Sequence, residues 1–186
     1  MFENAKIETK RLIIRSFIPR DSIEMHKVLN DKKVLKFLNY EPIELINVQT
    51  NINKLISFYL KNSCEKILQQ SMAVILKETN ELIGWCGFGE LEYDKSQIEL
   101  YYTIASSHWN LGYASESALA VLKYVFSIVK LNEIVAVINP ENLASIRVVE
   151  KIGLKYVGIE ENVSDEYKFY KGFKKYHLSR IKYQNL

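Results

Sequence analysis

The sequence predicts an α+β fold, a sheet covered by helices. Three observations carry that expectation. Ile98, Leu100, Tyr102 and Ile104 alternate with Gln97, Glu99, Tyr101 and Thr103, the period-2 pattern of a strand. Val48, Ile52, Leu55, Ile56 and Tyr59 recur at the spacing of an amphipathic helix. Segments of the two kinds then follow one another in mixed order along the chain.

Taken in order, residues 12–17 are β-rich and stop before Pro19, which predicts a first strand. Asp21 and Glu24 have the outline of a capping box and open a helix to about Asn30. The stripe from Val48 to Tyr59 is the second helix. Residues 72–76 and 82–88 flank the turn 78–81 and predict a hairpin. After the strand 97–104, a long helix begins near Ala114, with Ala118, Leu122, Val125 and Val129 on one face. Residues 134–138 are wholly apolar, as in the interior of a sheet. Asn139-Pro140 reads as N-cap and first helical residue, and Gly153 as the residue past the end. Two strands, near 156–160 and 174–182, close the chain.

Composition narrows the class. At 186 residues the chain fits one domain, taken here as 1–186, and can bury a core without disulfides or metal. The hydrophobic share of 48% and charged share of 25% exclude wholesale disorder. A net charge of +3 does not argue for nucleic acid or membrane. Cys64 and Cys86 lack the paired spacing of a metal site, and three scattered histidines add little, so no metal is expected. The cysteines read as reduced, half-buried thiols. The N-terminus is polar and charged, and the longest apolar stretch, 118–129, is too short to span a bilayer. A cytoplasmic protein without membrane or DNA partners is the expectation.

The segment His108-Trp-Asn-Leu-Gly112-Tyr-Ala114-Ser-Glu-Ser-Ala118 follows a strand and opens a helix. Gly112 and Ala114 stand where backbone N–H groups are still unpaired, an arrangement that favours an anion such as phosphate. It is neither a P-loop nor a GxGxxG fingerprint. On its own it is compatible with an ordinary strand-to-helix turn. A second segment, Asn142-Leu-Ala-Ser145 … Lys151-Ile-Gly153-Leu154, follows the apolar strand.

Together the two segments resemble the GCN5-related N-acetyltransferase (GNAT) superfamily, which moves an acyl group from acetyl-CoA to an amine. Gly112 and Ala114 match the family's R/Q-x-x-G-x-G/A pyrophosphate loop. Asn142, Ser145, Lys151, Gly153 and Leu154 match its fourth helix. Glu99 lies 13 residues before Gly112, on the strand where the family often carries a carboxylate. Arg11-Leu12 and Ile83-Gly84 also fall where the family has them, so the similarity covers nearly the whole chain. It looks closest to the ribosomal-protein N-terminal acetyltransferase branch, in which Trp replaces the loop's first basic residue, as Trp109 does. Two positions depart from the pattern. Asn110 replaces a frequent glycine, and Asn tolerates left-handed backbone. Val149 stands where many members have the tyrosine that protonates the departing thiolate.

The resemblance implies a mixed, mostly antiparallel sheet flanked by helices and direct attack by a primary amine on acetyl-CoA in a ternary complex. It implies Glu99 and Ser145 as catalytic residues. Thr103, Ile104, Leu111, Gly112, Tyr113, Ala114, Ser115 and Asn142 would bind the cofactor. A protonated amine must lose a proton before it attacks, which is the task for Glu99. Ser145 would donate to the sulfur in place of the absent tyrosine. Each residue also has a plain structural role open to it: a solvent-facing strand carboxylate, a helix-face hydroxyl, a side-chain cap from Asn142. Tyr101 and Tyr102 point to opposite faces, so at most one is expected to line a cleft. His108 reads as a solvated loop residue. The acceptor, a protein N-terminus or a small amine, is open. A non-catalytic CoA-binding or interaction module is the rival reading. RNA or ribosome contact through the basic C-terminus (Lys168, Lys171, Lys174, Lys175, Arg180 and Lys182) is the third.

Overall fold

A computed structural model describes residues 1–38 and 41–185. Eight strands form one sheet: β1 (Lys6–Glu8), β2 (Leu12–Ser16), β3 (Gln69–Leu76), β4 (Glu81–Leu91), β5 (Asp94–Ile104), β6 (Glu133–Ile138), β7 (Lys155–Ile159) and β8 (Lys174–Ser179). Their spatial order is β1-β2-β3-β4-β5-β6-β8-β7. Every pairing is antiparallel except β5 with β6, which run parallel and share a single register pair, Glu99 with Val135. The α+β expectation is met.

Six helices surround the sheet: α1 (Ser22–Leu29), α2 (Lys32–Leu35), α3 (Leu45–Lys61), α4 (Tyr113–Tyr124), α5 (Leu143–Lys151) and α6 (Arg180–Gln184). β3 is buried at every position after Gln69, and β4 from Leu82 to Gly89. Strands without an exposed side require cover on both faces. Neighbouring residues of β5 show which helices supply it. Tyr101 reaches Ser71, whose carbonyl also accepts from Tyr59 of α3, whereas Tyr102 reaches Ser145 of α5. Successive strand residues face opposite ways, so α3 and α5 cover opposite faces.

Several local expectations are corrected. Asp21 does not form a capping box with Glu24. Its buried carboxylate accepts from the Ile18 N–H at 2.9 Å and takes both ends of Arg15, at 2.7 and 2.8 Å. Glu24 instead accepts from Leu82 N–H of β4 at 3.3 Å. The helix after β6 starts at Leu143 rather than Pro140: Asn139 caps the local turn, and Asn142 is the true N-cap, accepting from Ser145 N–H at 3.1 Å. Gly153 does end that helix region with φ of +102°. The long helix is regular only to Tyr124 and continues as a π turn over Val125–Val129, with adjacent Val125 and Phe126 both buried. The final strand stops at Ser179, whose hydroxyl caps α6. β1, α2 and α6 are too short to leave a periodic signal. The thiols are not alike: Cys64 is exposed, while Cys86 is buried and pushed up to about 12 by that burial.

The Arg15–Asp21 fork joins β2 to the entry of α1 with one partner nearly fully buried. Asp21→Ala strands the guanidinium and the Ile18 N–H. It should cost about 2–3 kcal/mol, below the full buried-pair loss because Arg15 retains some solvent. Urea unfolding of the two proteins measures it.

Candidate active site

Beyond the Glu99–Val135 pair, β5 and β6 diverge, and a cleft of about 1530 Å³ opens between them. Among the residues singled out in the sequence, Glu99, Thr103, Ile104, Gly112, Tyr113, Ala114, Ser115, Asn142 and Ser145 all line it. Leu111 does not. The residue is 52% exposed and its carbonyl is held by Arg11 at 2.9 Å.

Tyr101 and Tyr102 both line the cleft, which corrects the expectation that only one does so. The alternation itself holds. The cleft cuts through the sheet at the strand gap, so both faces of β5 open onto it. His108 is likewise more enclosed than expected: its side chain is 16% exposed, bonded to Ser107 and lining the cleft.

Glu99 is half-buried on the floor. One oxygen accepts from the Val137 N–H of β6 at 3.4 Å, so the side chain bridges the two diverging strands. Burial pushes its pKa up to about 7, the Val137 bond pulls it back, and the Glu92 carboxylate adds to the rise. A carboxyl poised near neutrality suits proton abstraction.

The turn before α4 is built for an anion. Asn110 and Gly112 take left-handed backbone, with φ of +62° and +81°. Asn is one of the few side-chain-bearing residues that enter that region readily. The first helical bond of α4 runs from Glu116 N–H to the Gly112 carbonyl. The amides of Tyr113, Ala114 and Ser115 therefore have no intrahelical acceptor, and no side chain caps them. Trp109 pins the loop by donating to the Ile104 carbonyl at 2.6 Å, which occupies that group. Asn142 spends its side-chain oxygen as the α5 cap, and its amide nitrogen remains to be used. The first turn of α5 also carries the Ser145 carbonyl, which accepts from Tyr102 at 2.9 Å. Among the described residues, no group of three or more His, Cys, Asp or Glu could hold a metal, and no helix is long and apolar enough to cross a membrane.

Comparisons with known proteins place this fold and cleft among the acetyltransferases. Residues 11–155 match the family described as acetyltransferase (GNAT) domain. The chain belongs to that family and is an acetyltransferase. It is 32% identical over 152 residues to the uncharacterized N-acetyltransferase YnaD of Bacillus subtilis, covering 82% of this chain and 84% of that protein. Among solved structures, a GNAT-family acetyltransferase from Bacillus anthracis superposes with a TM-score of 0.78 at 27% identity, over 95% of this chain and 99% of that one. The ribosomal L7/L12 α-N-protein acetyltransferase RimL, solved in complex with coenzyme A, has the same fold at 16% identity. Its TM-score is 0.77 over 94% of this chain and 98% of that one.

Sequence reasoning missed Val137, whose role is set by a backbone N–H that has no residue-type signal. It also missed the bracing by Trp109, which is local, and by Arg11, which joins segments 100 residues apart.

The Glu99 geometry predicts a pH-dependent stability. Its folded pKa near 7 lies above the ordinary value of 4.5, so the fold favours the protonated form. That stabilisation is full below about pH 4.5 and is lost as pH rises through 7. Glu99→Gln should therefore raise Tm relative to wild type at pH 8 and give no gain at pH 4. Thermal unfolding at the two values measures the difference.

Proposed function

We propose that the chain, read as one N-acetyltransferase domain over 1–186, transfers the acetyl group of acetyl-CoA to a primary amine by direct attack in a ternary complex. One observation carries the proposal: a single cleft joins the open amides of the α4 turn to Glu99 and the first turn of α5. The residues fit the cosubstrate. The amides of 113–115 and the positive end of the α4 dipole suit the pyrophosphate. Asn142 has a free donor for the pantetheine arm. Arg147 and Lys151 of α5 line the same side and add positive charge.

At the other end of the cleft the charge reverses. Glu41, Glu44, Glu90 and Glu92 line it with Glu99, against Lys54 and Lys95. That balance attracts a cationic amine, either a protein N-terminus or a small molecule. In the proposed reaction Glu99 takes the ammonium proton, directly or through water. The freed amine attacks the thioester carbonyl; as the tetrahedral adduct collapses the C–S bond breaks, Ser145 donates a hydrogen bond to the departing thiolate, and the nitrogen's second proton passes to that thiolate or to water.

Two measurements test this reading. Gly112→Val puts a β-branched side chain at φ of +81° and crowds the anion-facing turn. Its affinity for CoA should fall at least about tenfold, with a backbone strain cost of about 1–2 kcal/mol. Unchanged affinity by calorimetry removes the α4 turn from the site.

Glu99→Gln keeps the shape and removes the base. Turnover with acetyl-CoA and a cationic amine should drop on the order of 10²-fold at pH 7. The wild-type rate should rise with pH through a limb near 7 that the variant lacks. The defect should shrink at high pH, where free amine is abundant. If only the acceptor KM weakens while saturated turnover holds, Glu99 attracts the cation without acting as base.

A further inference from the structure

Arg11, in the turn between β1 and β2, makes more contacts with the anion-facing turn than a surface arginine needs. Its Nε donates to Glu116 Oε2 at 2.7 Å and its backbone N–H to Glu116 Oε1 at 3.0 Å. The Thr9 hydroxyl completes the set on Oε1 at 2.6 Å. Nη1 donates to the Leu111 carbonyl at 2.9 Å, and the guanidinium lies over the Tyr113 ring, 4.3 Å from its centroid. Nη2 sits 3.4 Å from where a Cβ on Gly112 would be. One planar group thus touches residues 111, 113 and 116 and closes on the turn from the side.

We infer that Arg11 is a positioning residue for coenzyme binding: it neutralises the Glu116 carboxylate beside the α4 amides and holds the Leu111 carbonyl away from them, so that the turn offers an uncontested positive face to the pyrophosphate. The inference rests on the proposed reading of that turn as the pyrophosphate site. The physical need is plain. Glu116 lies in the first turn of α4, where a carboxylate is favourable to the empty helix and repels an incoming anion. Burial works to raise its pKa, but the Thr9 and Arg11 bonds outweigh that and hold it below the usual range. The charge is therefore present at neutral pH. Arg11 is the cation bonded to it: its Nε takes one carboxylate oxygen, and its backbone N–H with the Thr9 hydroxyl takes the other. The Arg11 side chain is 40% exposed, so the pair adds little to fold stability, and an effect on anion binding is separable from unfolding.

The test measures affinity for CoA by calorimetry and for pantetheine, which lacks the phosphates, by ligand-observed NMR. It uses Arg11→Ala, Arg11→Lys, Glu116→Gln and the double variant Arg11→Ala/Glu116→Gln, each checked for folding by thermal unfolding. Arg11→Ala should weaken CoA binding on the order of 10-fold and leave pantetheine within about twofold, since an uncompensated unit charge acts only on the anion. Glu116→Gln alone should bind CoA at least as well as wild type. The double variant should regain most of the lost affinity, because the repelling charge is gone. Arg11→Lys keeps a charge but cannot bond Glu116 and the Leu111 carbonyl from one planar group, and should fall between; it also serves if Arg11→Ala does not fold. Three outcomes overturn the inference: unchanged CoA affinity in both Arg11 variants, equal loss of CoA and pantetheine, or a double variant as weak as Arg11→Ala. Gly112→Val separates the two levels. If it weakens CoA binding while the Arg11 variants do not, only this inference falls. If it also leaves CoA binding unchanged, the reading of the turn falls with it.

Discussion

The divergence of β5 and β6 is the constraint on which the rest of the site depends. β5 is held on its other edge by a long antiparallel ladder to β4, and β6 by six register pairs to β8. Each strand is secured independently, so the sheet tolerates a seam between them after one shared pair. The twist inherent in strands then widens that seam with distance from the pair. On the side facing β5 the backbone of β6 has no ladder pair at Val137, and the Glu99 carboxylate accepts its N–H. The same gap buries Glu99, exposes both faces of β5 and brings the first turn of α5 opposite Tyr102. One omission in the ladder accounts for the burial of the Glu99 carboxylate, the opening and the placement of the second helix terminus.

The second requirement is a turn that directs amides outward without collapsing onto them. Two successive reversals, at Asn110 and Gly112, turn the chain out of the strand and into α4. Holding a side-chain-bearing residue in left-handed backbone costs on the order of 1 kcal/mol. The turn keeps that conformation because it is tied at both ends: Trp109 to the last carbonyl of β5, and Leu111 to Arg11 across the sheet edge. Asp31 adds a third tie by accepting from Ser106 N–H while also capping α2. The loop is rigid by tertiary bonds, so the exposed amides are available without prior reorganisation.

Much of this was legible in the sequence, and the limits have physical causes. The strand 97–104 and the stripe from Val48 to Tyr59 were readable because periodicity reports one buried face, and each element has one. The Gly112 turn and the Asn142 run were readable because backbone geometry and capping restrict residue choice there. Asp21 misled because its sequence context satisfies a helix cap, while Arg15, six residues earlier, offers a stronger partner. The π turn was invisible because Val125, Phe126 and Val129 fit either a regular or a bulged helix. The opposite faces of Tyr101 and Tyr102 were correctly inferred, but the conclusion drawn from them assumed an unbroken sheet. Whether a sheet is continuous depends on pairing between distant strands, and no local pattern encodes it.

Val149 stands where the family resemblance implies a proton-donating tyrosine, and the structure shows how the site is arranged without one. Val149 is fully buried and packs in the core. Tyr102 approaches from β5 instead, but its hydroxyl is committed to the Ser145 carbonyl, and burial pushes its pKa above the ordinary tyrosine value. A proton held that firmly is a poor one to surrender. What Tyr102 supplies is order: it fixes the first turn of α5 at the edge of the cleft. In the proposed reaction this leaves the departing sulfur facing the Ser145 hydroxyl and the positive end of the α5 dipole. A thiol with an ordinary pKa near 8.5 lies only about one to two units above neutral pH, so a hydrogen bond and a favourable field help its thiolate leave where a more basic leaving group would need a full proton.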